Sequence, residues 1–163
     1  MEAFWSYARN DNQKPAKRVS RLKAAFETSL SQVIGKKCEV FFDTESINWG
    51  VAWKEEIERR IECCDGLVTT ISPSFFNSRA CIYELTVAIS KNKKIYPIYF
   101  RKCKLLESNF KEDGIDKDTN IQLNKASKVL KKHHFMDFRE MRNKPIEEEL
   151  VQNFVDKLAE QFE

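Results

Sequence analysis

The chain has 163 residues, 42% of them hydrophobic and 33% charged, and a net charge of +3. That length suits one domain with a single core, and the balance of residues excludes disorder as the default state. So small a charge speaks against a nucleic-acid partner or a membrane surface, and no apolar run approaches the ~20 residues that cross a bilayer.

No charged-then-apolar leader opens the chain, so the expectation is a cytoplasmic protein with one domain over residues 1–163. That domain is either complete or the N-terminal part of a longer protein. The basic clusters at 91–94 and 101–104, with Lys131 and Lys132, read as a solvated surface. Cys38, Cys63, Cys64, Cys81 and Cys103 are odd in number and form no CxxC pair, which predicts reduced, mostly buried thiols, no disulfide and no metal site.

Along the chain, short apolar runs alternate with helical patterns. The first strand is AFWSY (3–7). After a polar turn, Pro15 stands near the start of a helix on which Val19, Leu22, Phe26, Leu30 and Val33 share a face, and Gly35 ends it. CEVFF (38–42) is the second strand, followed by a loop to Gly50 and a helix patterned by Trp53, Ile57 and Ile61. LVTTIS (67–72) reads as a central parallel strand.

The segment SPSFFNS is taken as a loop, with Ser78 as N-cap of a helix carrying Cys81, Leu85, Ala88 and Ile89 on one face. KIYPIYF (94–100) is the fourth strand, placed nearer the sheet edge, or irregular, because Pro97 cannot donate to a ladder. Residues 101–118 look irregular and 119–132 helical; HHFMDF (133–138) is the fifth strand, with His133 and His134 as strand residues. Pro145 opens a last helix with a stripe of Ile146, Leu150, Phe154, Leu158 and Phe162. The fold class is therefore α/β: a flavodoxin-like three-layer fold, its five-stranded parallel sheet in the order 2-1-3-4-5 and flanked by helices.

In such a sheet ligands settle at the carboxyl ends of the strands where the order reverses, here between the first and third. The lining read from the sequence is Ser6 to Asp11 after strand one, Asp43, Glu45, Asn48 and Trp49 after strand two, and Ser72, Ser74, Phe75 and Phe76 after strand three, with Glu84 a turn into the next helix. One cation, several hydroxyls, aromatics and carboxylates suit a nucleotide. With four glycines there is no phosphate-binding glycine loop, so neither a hydride-transfer cofactor nor P-loop ATP is expected, and no GxSxG elbow is present.

Three blocks then become specific: FWSYARNDN (4–12), VFFDTESINWGVAWKEEIERRI (40–61) and VTTISPSFFNSRACIYELTVA (68–88). In that order and spacing they resemble a TIR (Toll/interleukin receptor) domain of the bacterial kind, and HHFMDFREMR resembles the family's late DWR segment. The resemblance implies cleavage of NAD⁺ as substrate, with no other cofactor, by a glutamate that corresponds to Glu84. It further implies self-association through the 43–50 loop, and a role in defence or cell-death signalling. Many active members carry tryptophan four residues before that glutamate; here the position is Ala80, so Phe75, Phe76 or Tyr83 would have to enclose the substrate.

Each candidate has a bland reading beside the functional one. Glu84 gains ~0.3–1 kcal/mol from the helix dipole with no function at all. Arg9 neutralises the diphosphate or is an ordinary surface arginine; Ser6 and Asp43 touch ribose hydroxyls or satisfy their turns. Trp49 covers the nicotinamide end or a neighbouring subunit. Cys81 faces the substrate as a small packing residue rather than a nucleophile. Phe4 and Trp5 point to opposite faces of the sheet and pack in the core, and Trp53 staples its helix to the sheet. The alternative to an enzyme is a non-catalytic module that recruits other TIR domains through the same loop.

Overall fold

A computed structural model describes residues 1–42, 51–107 and 117–163. Five parallel strands, β1 (Glu2–Ser6), β2 (Glu39–Phe42), β3 (Gly66–Ile71), β4 (Lys94–Tyr99) and β5 (Met136–Asp137), form one sheet in the order β2-β1-β3-β4-β5. Helices α1 (Arg18–Ile34) and α7 (Glu149–Phe162) cover one face. Helices α2 (Val51–Cys63), α4 (Arg79–Ser90) and α6 (Lys117–Leu130) cover the other. Two single-turn helices, α3 (Pro73–Phe76) and α5 (Lys104–Glu107), lie in the connections. Among the described residues no helix is long and apolar enough to cross a membrane.

The strand pattern explains the layering. Every residue of β3 is buried, as expected of a strand covered on both faces. In β1, alternation sends Phe4 into the α2/α4 layer with Ile57, Ile61 and Leu85. Trp5 goes into the α1/α7 layer, edge-on to Phe26 at 5.6 Å. Its indole N–H donates to Thr70 Oγ1 at 2.8 Å, so the largest buried side chain leaves no polar atom unmet. Four of the five cysteines are buried and Cys63 is exposed.

Several boundaries differ from the expectation. Helix α1 ends at Gly35 in the left-handed region (φ 72°), as read, but Val33 is exposed and Ile34 takes its place against the core. The last helix starts at Glu149, not at Pro145, because the Arg142 and Lys144 carbonyls accept from the Arg18 guanidinium and hold that segment outside the helix. Its buried stripe is Val151, Phe154, Val155, Leu158, Ala159 and Phe162, which leaves Leu150 48% exposed. Strand β5 is only two residues long; His133 lies outside it, with Nδ1 2.9 Å from the Val129 carbonyl at the end of α6. Strand β4 is next to the edge, and its ladder to β5 begins at Ile98, just past Pro97.

Gly66 opens β3 where nothing larger fits. A Cβ there would stand 2.8 Å from the Tyr96 ring and 3.0 Å from Phe162, two rings already packed 4.7 Å apart. Gly66→Ala is expected to lower stability in denaturant unfolding by ~1–3 kcal/mol, the usual cost of overpacking. On α7, Leu158→Ala should cost ~2–5 kcal/mol, and Leu150→Ala no more than ~0.5 kcal/mol. Equal effects at the two leucines would contradict the observed helix register.

Candidate functional site

Where the order of strands reverses, between β1 and β3, a cleft of about 290 Å³ opens at their carboxyl ends. One wall is the chain after β1, from Tyr7 to Asn10; the opposite wall is Ser74, Asn77 and Ser78, and the floor is Ala80, Cys81 and Glu84 of α4.

Local sequence builds the second wall. Ser72 leaves β3 in extended conformation and its hydroxyl accepts from the Phe75 N–H at 3.1 Å, with Pro73 in the first helical position. This makes α3, a helical turn in a segment read as loop. Asn77 ends it, and the Ser78 hydroxyl accepts from the Cys81 N–H at 3.3 Å, the N-cap that the sequence predicts. Spacings of three and four then bring Ala80, Cys81 and Glu84 to one side of α4.

Glu84 is 2% exposed, and its carboxyl accepts a hydrogen bond from Ser6 Oγ. Ser6 is the last residue of β1, so the contact ties that strand to the helix across 78 positions of sequence. Thr69 sits beside Ser6 in register on β3, and its hydroxyl is buried with no hydrogen-bond partner among the described residues. Such an orphan costs ~1–3 kcal/mol, and strand register is the signal that could have added it to the site.

The structure brings Ser6, Arg9, Cys81 and Glu84 together at this cleft. Phe75 stands apart from them: α3 turns its ring inward, where it is fully buried against Phe76 at 5.6 Å and outside the lining of this cleft. Tyr83 points away as well. Its ring meets Trp53 edge-on at 5.5 Å and its hydroxyl donates to Glu58, so Trp53 ties α2 to α4 and packs on the core layer that Phe4 and Leu67 of the sheet enter. Burial, and then Glu58, push the Tyr83 phenol up to about 12. Asp43, Trp49 and the rest of the 43–50 loop lie outside the described residues. Among those residues no group of three or more histidine, cysteine, aspartate or glutamate side chains is placed to hold a metal.

Beside the cleft a second buried carboxyl, Asp11, accepts from the Ser72 hydroxyl and from Arg101 Nε at 3.2 Å. These bonds join the turn after β1 (a 3₁₀ turn, Arg9–Asn12) to the ends of β3 and β4. Burial nonetheless outweighs Ser72 and Arg101 and raises the Asp11 pKa above the usual aspartate value. An acid raised in the folded state favours folding while it is protonated. That contribution should fade as pH rises from the ordinary aspartate value through the raised one. A carbon-detected NMR titration is expected to place the Asp11 midpoint above those of the exposed aspartates; a midpoint below them would contradict the burial argument.

A family model for the TIR domain matches residues 4–151. No curated protein sequence matches the chain. Among solved structures, the TIR domains of the activated Roq1 resistosome, which directly recognises the pathogen effector XopQ, superpose with a TM-score of 0.68 at 15% identity, over 99% of each chain. The TIR domain of the Toll-related receptor TRR-2 from Hydra magnipapillata matches at 21% identity over 80% of this chain and 98% of that one, with a TM-score of 0.45. With nine-tenths of its residues under the family model and the strand order 2-1-3-4-5, this chain belongs to the TIR domain family.

Proposed function

We propose that the domain cleaves the nicotinamide–ribose bond of NAD⁺, with Glu84 at the reacting centre. The observation that carries this reading is a glutamate buried at the floor of a cleft at the sheet's switch point, its carboxyl fixed by the Ser6 hydroxyl.

The chemistry asks little of the protein. When the C1′–N bond breaks, its electron pair returns to the pyridinium nitrogen and nicotinamide leaves neutral, so no general acid is needed. Positive charge develops on the ribose C1′ and ring oxygen, as in glycoside hydrolysis. A carboxylate held against the ribose hydroxyls stabilises that charge most where water is excluded. Water then bonds to C1′ and gives up a proton, which yields ADP-ribose; attack by the substrate's own adenine gives a cyclic product instead.

At about 290 Å³ the cleft lies at the small end of ligand pockets (~300–1,000 Å³). It suits the nicotinamide riboside half, with the diphosphate outside near Arg9 at the rim. Ala80 leaves open the wall where the family resemblance implies a tryptophan. We assign its closure to the 43–50 loop of a neighbouring copy, so that assembly completes the site. The similar Roq1 domains come from an activated resistosome, which supports assembly as the trigger, in a defence or signalling setting.

The test is nicotinamide release from NAD⁺ by the domain clustered on beads at high density. Glu84→Gln is expected to lower the rate at least ~100-fold, the scale of a lost transition-state electrostatic contact. Ser6→Ala should lower it less, since the carboxylate stays but is no longer aimed. Equal release from the parent and Glu84→Gln would overturn the assignment. Silence from the clustered parent would favour an interaction module.

A further inference from the structure

On the opposite side of the Arg9–Asn12 turn lies a second, larger cleft of about 530 Å³. It is separate from the Glu84 cleft, and Asn10 is the residue that lines both. Three stretches distant in sequence bring cations to it: Arg18 and Arg21 from the first turn of α1, Arg101 just beyond β4, and Arg142 and Lys144 from the segment before α7. Against these five, the lining holds only the carboxylates of Asp11 and Glu147.

Glu147 acts electrostatically on Arg18, and the other counter-charge is already committed. Asp11 is held by Ser72 and Arg101. Lys144 is paired with Glu148, which stands outside the lining. The Arg18 guanidinium is anchored on the carbonyls of Arg142 and Lys144, which fixes that strip of chain at the cleft's edge. Burial, and then the charge of Arg21, lower the Arg18 pKa, so the two cations feel one another. Arg21 and Arg142 have no ion-pair partner among the described residues.

Guanidinium groups gathered in one concavity repel each other and focus a positive potential that an anion relieves. Their forked donors match phosphate oxygens, which spread several charges over one small group. The space is concave, within the size range of small-ligand pockets, and is not the flat face a duplex needs. Amides of Asn10, Gln13 and Asn143 stand among the cations and offer both donors and acceptors to a sugar or base.

We propose that this cleft binds a nucleoside polyphosphate, with Arg21 and Arg142 on the phosphates and the neighbouring amides on the nucleoside. The site does not depend on NAD⁺ cleavage. Because Asn10 is common to both clefts, a ligand here also sets one wall of the Glu84 cleft.

The test is calorimetric titration of the full chain with ATP and with inorganic tripolyphosphate, at low and at physiological salt. Both should bind, ATP more tightly, and both more weakly as salt rises. Arg21→Glu together with Arg142→Glu is expected to weaken both at least tenfold. Arg21→Glu alone, at an exposed position with no ion-pair partner among the described residues, should weaken both severalfold. Glu84→Gln should leave both unchanged, which separates this site from the NAD⁺ reading. Equal affinity for ATP and tripolyphosphate would overturn the nucleoside half of the proposal. No binding, loss of binding in Glu84→Gln, or arginine-dependent binding of duplex RNA without binding of either small phosphate would overturn it whole.

Discussion

A carboxyl group taken out of water has to be met by hydrogen-bond donors, and Glu84 is met by the hydroxyl at the last position of β1. That contact holds only if α4 starts where it does. Its start is fixed by the Ser78 cap, which is fixed in turn by α3 and by Ser72 at the end of β3. Ser72 works in two directions, accepting from the Phe75 N–H and donating to Asp11. Two strand ends, two helix starts and two buried carboxyls are therefore joined by three serine hydroxyls, and the geometry of the cleft follows from them.

Much of this could be read from residue order. Continuous burial of β3, the opposite faces of Phe4 and Trp5, the stop at Gly35 and the cap at Ser78 each follow from one local rule, and each is observed. The failures share a physical cause. The sequence puts Phe75 at the ligand because it follows the third strand and Ala80 leaves the tryptophan position empty. A four-residue helix has no periodicity to betray it, and its formation turns the ring inward. Val33 and Leu150 fit an apolar spacing equally well, but near a helix end one residue decides the register, and Ile34 and Val151 take the core positions beside them. The pairing of Trp53 with Tyr83 is not legible in the sequence, because the spacing of one helix says nothing about a partner on another. The place of Thr69 beside Ser6 is not legible in the sequence, because register is a relation between strands and not within one.

The Arg9–Asn12 turn divides the carboxyl end of the sheet into two environments. On the α4 side, the buried carboxyl, the hydroxyls and a small volume suit a cationic ring and its ribose. On the α1 side, the guanidinium groups and a larger volume suit phosphates. Family membership accounts for the fold that places the turn there. The chemistry assigned to each side rests on the side chains themselves.

The central claim is that NAD⁺ seats its nicotinamide ribose beside Glu84, and the most direct measurement is amide NMR of the isotope-labelled Glu84→Gln domain as NAD⁺ is added. That variant keeps the size of the side chain and an oxygen for Ser6, so it should bind without turnover. The account predicts saturable shifts concentrated at Ala8, Arg9, Asn10 and the Asn77–Cys81 stretch. Shifts centred on another part of the sheet, or none with NAD⁺ in large excess, would contradict it.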